Sequence, residues 1–400
     1  MQRATHQRLI ERLIEHLAGR TPEGVTEGTA EPPQVEAASA PAPRIAPRPA
    51  FRVPADRYRS AADHGRERDR VFGAVRGGTW VGPPRVIAGS ASIAAGACVP
   101  VDVPGASLIV TRGEDGELRG FANACRHRAT RLVDAPCSPR ALVCPYHGWT
   151  YDLRGALIHV PHAEAFTPED RRDLAALPVA ERHGLVWLGT DVAGYLGALD
   201  DDLAALALDR AVAWRSQRTT VRCNWKLIME AFLESYHVRT LHRASVYRFF
   251  LDVASIAEPV GPHVRALTAR RRLRDAPSEL DAATDLRALA TPSYTLFPAT
   301  TLIVHPDFVS VVTVHPLAAD QTHYEHLMLV PSERAGETEH WDKSWALIED
   351  AVFQREDLRA CEQIQRGLTA GTTDELLFGE LEAAVRWFHA TLDGRLGQAP

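Results

Sequence analysis

Two pairs of metal-binding side chains, each on its own short segment, stand out in the chain: Cys125-x-His127 and Cys144-x-x-His147, separated by sixteen residues. Thiolate sulfur and imidazole nitrogen ligate zinc and iron–sulfur clusters, so four such groups on adjacent loops could close over one centre. Zinc fingers keep cysteine with cysteine and histidine with histidine along the chain. Here each segment contributes one of each. That segregation suits a [2Fe–2S] cluster in which one iron takes both cysteines and the other both histidines. Exchanging two thiolates for neutral imidazoles raises the potential of such a centre. A structural zinc site and four unrelated packing residues are the alternatives; two matched pairs, the second followed by Gly148 and Trp149, weigh against coincidence.

The second constellation lies in VRCNWKLIMEAFLESYHVRTLHRAS. Glu230, Glu234 and His237 fall at i, i+4 and i+7, one face of a continuous helix. His242 follows five residues after His237, which on a regular helix turns it about 140° away. Both imidazoles reach one metal only if the helix ends or distorts between them, and Val238-Arg239-Thr240, two of them β-branched, is the place expected for the break. Two histidines and one carboxylate form the facial triad that holds Fe(II) and leaves positions open for O2 and substrate. Spacing does not choose the carboxylate, because the helical stretch WDKSWALIEDAVFQREDLRACEQIQRGL offers Glu349, Asp350, Glu356, Asp357 and Glu362.

The elements around these groups fall into two blocks. Over residues 70–190, short β-like runs such as PRVIAG, CVPVDVPG, SLIVTRGEDGEL and GLVWLG are bounded by Gly and Pro, predicting an all-β domain. Over residues 200–395, longer helical patterns alternate with β-rich segments such as SYTLFPATTLIVHP and FVSVVTVHPL, predicting a second domain. At the amino end, Leu9, Ile10, Leu13, Ile14 and Leu17 predict an amphipathic helix within residues 1–20 that docks on another surface, a neighbouring subunit being one choice. Residues 21–55, rich in Pro and Ala, read as a disordered linker, and the charged residues 56–72 as helical.

The 400 residues carry 45 Lys plus Arg against 51 Asp plus Glu, a net charge of −6 that disfavours nucleic acid and anionic membranes as partners. Six scattered cysteines are too few for a disulfide scaffold, and Cys98, Cys137, Cys223 and Cys361 read as packing residues, Cys137 as a buried free thiol. No window of 18 uninterrupted apolar residues exists, so the expectation is a reduced, cytoplasmic enzyme without a membrane span. No Gly-rich dinucleotide fingerprint follows a strand, so any NAD(P)H oxidation is expected on a separate protein.

NACRHRATRL followed by CPYHGWTYDLRGAL resembles the Rieske motif of the bacterial aromatic ring-hydroxylating oxygenases. NWKLIMEAFLESYHVRTLH is similar to the NWK…E…E-x-Y-H-x4-H segment of their α subunits, and QREDLRACEQIQRGL resembles their carboxy-terminal acidic helix. The resemblance covers roughly residues 70–390. It implies an α+β chain: an all-β Rieske [2Fe–2S] domain followed by a helix-grip catalytic domain, in which an antiparallel sheet wraps a long helix. It implies Cys125, His127, Cys144 and His147 as cluster ligands, and His237, His242 and Asp357 as ligands of one Fe(2+), with Glu356 the fallback for Asp357. Glu234 stands where many members carry an aspartate that bridges a cluster histidine, here His147, to an iron histidine of the adjacent chain.

The implied activity is the terminal oxygenase of a multicomponent system, hydroxylating or demethylating a small organic, aromatic substrate with O2. Electrons would come from an external NAD(P)H-dependent reductase or ferredoxin, and the implied assembly is a homotrimer or α3β3. The competing reading is a Rieske electron-transfer or redox-sensing protein whose second domain only binds a ligand. Aromatic acids, other aromatics and quaternary amines are all processed on this scaffold. Phe232, Tyr236, Tyr247, Phe249, Phe250, Tyr294 and Phe297 are candidates for an aromatic cage or an apolar pocket, and Arg239 is read as a solvated charge.

Overall fold

The computed structural model describes residues 2–18, 49–276, 280 and 284–397. In the first domain, Cys98–Val103, Ala106–Arg112, Leu118–Ala122 and Ala176–Leu177 form an antiparallel sheet of four strands. Arg85–Gly89, Leu185–Leu188 and Val179–Arg182 form a second sheet of three. A third small sheet is built from Leu142–Val143, Thr150–Tyr151 and Leu157–His159. Successive strand side chains point to opposite faces, so a strand covered on both sides must be apolar throughout. Leu108–Val110, the middle of the strand Ala106–Arg112, is such a stretch. Leu108 and Val110 pack with Ile87, Val101, Val186 and Leu188, whereas Ile109 packs with Phe121, Cys125, Cys144 and Trp149. The second face is the floor under the two cysteine–histidine loops.

The second domain is a seven-stranded antiparallel sheet in the spatial order Ala211–Val221, Gln321–Pro331, Val309–Ala318, Thr300–Val304, Ala290–Leu296, His263–Arg270, Phe250–Val260. Both faces of this sheet are covered, so Val309–Ala318 and Gln321–Pro331 are buried along most of their length. Val312, Val314, Met328 and Val330 face the helix Trp225–Leu233 and the carboxy-terminal helices. Val311, Leu327 and Leu329 face Val86, Leu185 and Trp187 of the first domain. Residues 338–369 form one long helical element whose middle, Ala346–Leu358, is wound as π-helix and carries Glu349, Glu356 and Asp357. Such widened turns recur at functional sites because they re-aim side chains.

The NWK segment fixes the start of the central helix. The Asn224 side chain accepts the Lys226 N–H (3.0 Å) and donates to the Ala319 carbonyl (2.6 Å), capping Trp225–Leu233 and tying it to the sheet. Trp225, assigned above to packing, also donates its indole N–H to Glu67 (2.7 Å), and the same carboxylate pairs with the fully buried Lys226 ammonium (2.6 Å). Burial lowers the Lys226 ammonium from its ordinary value, against the opposing pull of Glu67.

Three expectations need correction or restriction. The amino-terminal helix, Gln2–Ala18, docks on its own chain: Leu9, Ile10 and Leu13 are buried among Leu251, Leu267, Leu286 and Leu289. Phe51–Pro54, placed by sequence in the linker, is a strand paired with Glu375–Phe378, because backbone pairing and the burial of Val53 offset its ordering. Most of the remaining linker, residues 19–48, lies outside the described residues. Cys137 is exposed, held at the rim by backbone pairing with Cys98, with the two sulfurs 3.1 Å apart. Among the described residues, no helix is long and apolar enough to cross a membrane.

Candidate metal centres and substrate cavity

Both cysteine–histidine loops are built on the same turn. The Ala129 N–H donates to the Cys125 carbonyl (2.9 Å), and the Gly148 N–H to the Cys144 carbonyl (3.0 Å). The closing residue is left-handed in each, with φ of 59° at Ala129 and 72° at Gly148. A Cβ on Gly148 would stand 3.2 Å from Pro161, so both φ and space favour glycine there. Asn123 pins the first loop by accepting the N–H groups of Leu132 (3.0 Å) and Val133 (3.1 Å) and donating to the Val133 carbonyl (2.7 Å).

These turns bring Cys125 and Cys144 into one buried cluster and set the His127 and His147 rings 4.6 Å apart. His127 stacks on Trp149 at 5.1 Å and 9°. The Tyr151 hydroxyl lies 3.4 Å from the Cys125 sulfur and accepts the Arg126 N–H (3.0 Å). The His127 Nδ1 is buried with no hydrogen-bond partner, an orphan that a metal ligand bond would satisfy. Two buried sulfurs and two adjacent imidazoles fit the donor set of a Rieske cluster.

Around the second constellation the chain departs from the expected helix. Trp225–Leu233 ends at Leu233, and Glu234 is extended (φ −135°, ψ 166°). The Glu234 carboxylate accepts the backbone N–H groups of Tyr236 and His237, replacing the helical bonds that would have continued the element. The break therefore falls before His237, and Val238–Leu241 is a short helical turn with His237 and His242 at its two ends. Glu230, expected on the same face as His237, points away: it accepts from Tyr58 (2.7 Å) and bonds His389 (2.9 Å) in the buried core.

Across that single turn the two Nε2 atoms come within 3.2 Å. Asp357, from the π-helical stretch, places Oδ1 3.1 Å from His242 Nε2 and 3.6 Å from His237 Nε2. Ligands about 2.1 Å from one metal at adjacent octahedral corners stand about 3 Å apart. Asp357 Oδ1 is buried without a well-formed hydrogen bond, so a cation at the centre of the three atoms would satisfy it. Both imidazoles are held by carboxylates from behind: Glu234 on His237 Nδ1, and Glu356 on His242 Nδ1 (2.7 Å), with the Ser245 hydroxyl donating to the same Glu356 oxygen (2.7 Å). Nδ1 protonation turns each Nε2 lone pair toward the centre. Burial opposes a charge on His242, but Asp357 and Glu356 outweigh it and raise its imidazole above the ordinary histidine value.

The triad opens on a cavity of about 350 Å³ whose lining, among the described residues, comes from between 231 and 357. Phe232, Phe249 and Phe250 line it, as sequence allowed; Phe308, Phe353, His305 and Arg270 also do, and sequence did not nominate them for that role. Tyr236 is exposed, while Tyr294 and Phe297 are buried in the sheet cores and Tyr247 does not reach the cavity. His305 stacks on Phe308 (4.1 Å, 12°), and burial keeps its imidazole far below the ordinary value. Arg239 is a solvated charge paired with Asp252 (2.7 Å). Arg270 opens the run RRRLR, and nothing local distinguishes it from the exposed Arg271 and Arg272; only the strand direction turns it inward.

Residues 84–178 match the Rieske [2Fe-2S] domain family, and residues 205–398 match the ring hydroxylating alpha subunit (catalytic domain) family. The chain belongs to the Rieske oxygenase α subunits. It is therefore an oxidoreductase of the terminal oxygenase type, with a Rieske [2Fe–2S] domain and a non-haem iron catalytic domain. The carnitine monooxygenase oxygenase subunit of Escherichia coli (strain K12) is 26% identical over 340 residues, 80% of this chain and 85% of that one. The glycine betaine monooxygenase oxygenase subunit of Chromohalobacter salexigens is 34% identical over 180 residues, 41% of this chain and 39% of that one. A solved structure of naphthalene 1,2-dioxygenase from Rhodococcus sp. shares the fold with a TM-score of 0.70 at 21% identity, covering 87% of this chain and 95% of that one.

Proposed function

We propose that Cys125, His127, Cys144 and His147 hold the [2Fe–2S] cluster, and that His237, His242 and Asp357 hold the catalytic Fe(II) of an oxygenase acting on a small organic molecule. The observation that carries the reading is the convergence of His237 Nε2, His242 Nε2 and Asp357 Oδ1, the last buried without a well-formed hydrogen bond, on the wall of a largely apolar cavity. Bound there, the two centres supply stored electrons and the activation of O2. The chain supplies the rest. Glu234 and Glu356 keep both imidazoles in the ligating tautomer. The phenylalanines exclude water and orient the apolar part of the substrate beside the triad.

Delivery of cluster electrons from a neighbouring copy is part of this reading; among the described residues, the cavity lining holds none of the four proposed cluster ligands. Glu234, beside the exposed Tyr236, is the proposed bridge to a neighbour's cluster in a homotrimer or α3β3 assembly. The electron donor is an external NAD(P)H-dependent reductase or ferredoxin. The relatives act on carnitine, glycine betaine and naphthalene, and a phenylalanine-lined cavity accommodates an aromatic ring or a methylated ammonium equally.

An iron count with EPR on anaerobically purified protein tests this function. Three irons per chain are expected; two would leave an electron-transfer or sensing protein, and zinc without colour a structural one. Asp357→Ala should keep the Rieske signal and lose the third iron and product formation; retained activity would overturn the Asp357 assignment.

A further inference from the structure

The proposed function leaves open what holds the substrate's polar end. The geometry points to Arg270 as the anchor for a substrate carboxylate, placing the substrate among organic acids or zwitterions rather than neutral arenes or alcohols. This rests on the cavity being the substrate site.

Arg270 ends the strand His263–Arg270 and lines the same cavity as His237, His242 and Asp357. Its guanidinium lies 5.3 Å from the Phe250 ring centroid and 5.7 Å from that of Phe249, so aromatic faces rather than water cover part of it. Of its five N–H donors, one reaches the Thr291 hydroxyl (3.1 Å), and no carboxylate pairs with it among the described residues. The contrast with its neighbours is sharp. On the same strand Arg265 is paired with both Glu258 and Asp202, and Arg287 spends its donors on the carbonyls of His305 and Phe308. The nearest acidic influence, Asp307, is committed to His340 and Arg334.

A half-buried guanidinium with spare donors costs free energy unless something in the cavity completes it. Its planar fork matches a carboxylate through two parallel hydrogen bonds, and Thr268, Thr291 and Ser293 put hydroxyls in the same cavity. Burial already lowers the Arg270 guanidinium from its ordinary value, and an arriving anion would reverse that. A ligand held this way leaves its apolar portion to Phe232, Phe308 and Phe353.

The test uses matched probes that differ only at the polar end: benzoate with benzyl alcohol, and glycine betaine with choline. Binding to the iron-loaded, full-length protein is measured by calorimetry, and turnover with a surrogate reductase is followed beside it. The carboxylate of at least one pair is expected to bind ten-fold or more tighter than its alcohol partner, and Arg270→Gln should reduce that preference about 10- to 100-fold. Arg270→Lys, which keeps charge but loses the fork, should recover part of it. Melting temperature and iron content of both variants serve as folding controls. Equal binding of carboxylate and alcohol partner in both pairs, no binding of any carboxylate, or an unchanged preference in Arg270→Gln overturns the assignment. Loss of the third iron in the wild-type protein would instead refute the oxygenase reading, while the calorimetry still reports on Arg270.

Discussion

Removing the carboxylate behind His242 should loosen the catalytic iron without touching the cluster. Glu356 accepts from His242 Nδ1 and from the Ser245 hydroxyl, each at 2.7 Å and each to a charged oxygen. Hydrogen bonds to charged groups contribute about 1.5–3 kcal/mol, and loss of an outer partner of a ligating histidine typically weakens metal binding about 10- to 100-fold. At about 1.4 kcal/mol per factor of ten, the two scales overlap at a loss of roughly 1.5–2.8 kcal/mol for Glu356→Ala. Glu356→Gln keeps an acceptor without the charge and should fall between that variant and wild type. The assay is Fe(II) competition against a calibrated chelator, with the cluster's visible absorption as internal control. Asp357→Ala, which deletes a proposed ligand rather than its support, should lose more than Glu356→Ala. Wild-type iron affinity in Glu356→Ala would refute the support role, and an inverted order would make Glu356 the ligand.

Three further outcomes follow from other parts of the fold. Glu67→Ala strands the fully buried Lys226 ammonium and should cost about 3–5 kcal/mol in urea unfolding, much of it restored by adding Lys226→Met; a stable single variant would remove the pair from the central helix's support. Gly148→Ala forces a side chain into left-handed backbone 3.2 Å from Pro161, so cluster absorption should fall, whereas Ala129→Gly should leave it intact; unaffected colour in Gly148→Ala would contradict the turn geometry. His263 is held down to about 4 by burial, then by Arg395. The folded protein thus binds fewer protons than the unfolded chain, and this histidine's contribution, complete above pH 6.5, is lost as pH falls toward 4, in all about 3 kcal/mol. His263→Gln, able to keep the bonds to the Tyr195 carbonyl and the Phe297 N–H, should flatten that acid dependence by melting temperature; parallel curves would refute it.

The two cysteine–histidine pairs and the two histidines of the second constellation were legible in the sequence, because each set sits on a few consecutive residues whose spacing reports what one loop or one turn can present. The β-rich character of the first block was legible for a similar reason: hydrophobic periodicity is local. The position of the break near His237 was not. Its cause is the Glu234 carboxylate taking over backbone donors, a competition between side chain and helix that periodicity cannot rank. The surface on which the amino-terminal helix docks and the Phe51–Pro54 strand were also beyond it, since their partners lie more than 200 residues away along the chain.

The acidic helix presented five carboxylates, and the sequence could choose among them only by resemblance. In the structure, the wide π-helical turn aims Asp357 at the imidazole nitrogens and sets Glu356 behind His242. Arg270 was invisible for the same kind of reason: one arginine in a run of three is turned inward by the pleat of a strand buried in the sheet. Sequence spacing determines which donors a single turn can offer. Which donors meet at the proposed metal site is decided where segments 115 residues apart, His242 and Asp357, come together, because only packing fixes the direction of a side chain relative to a distant one.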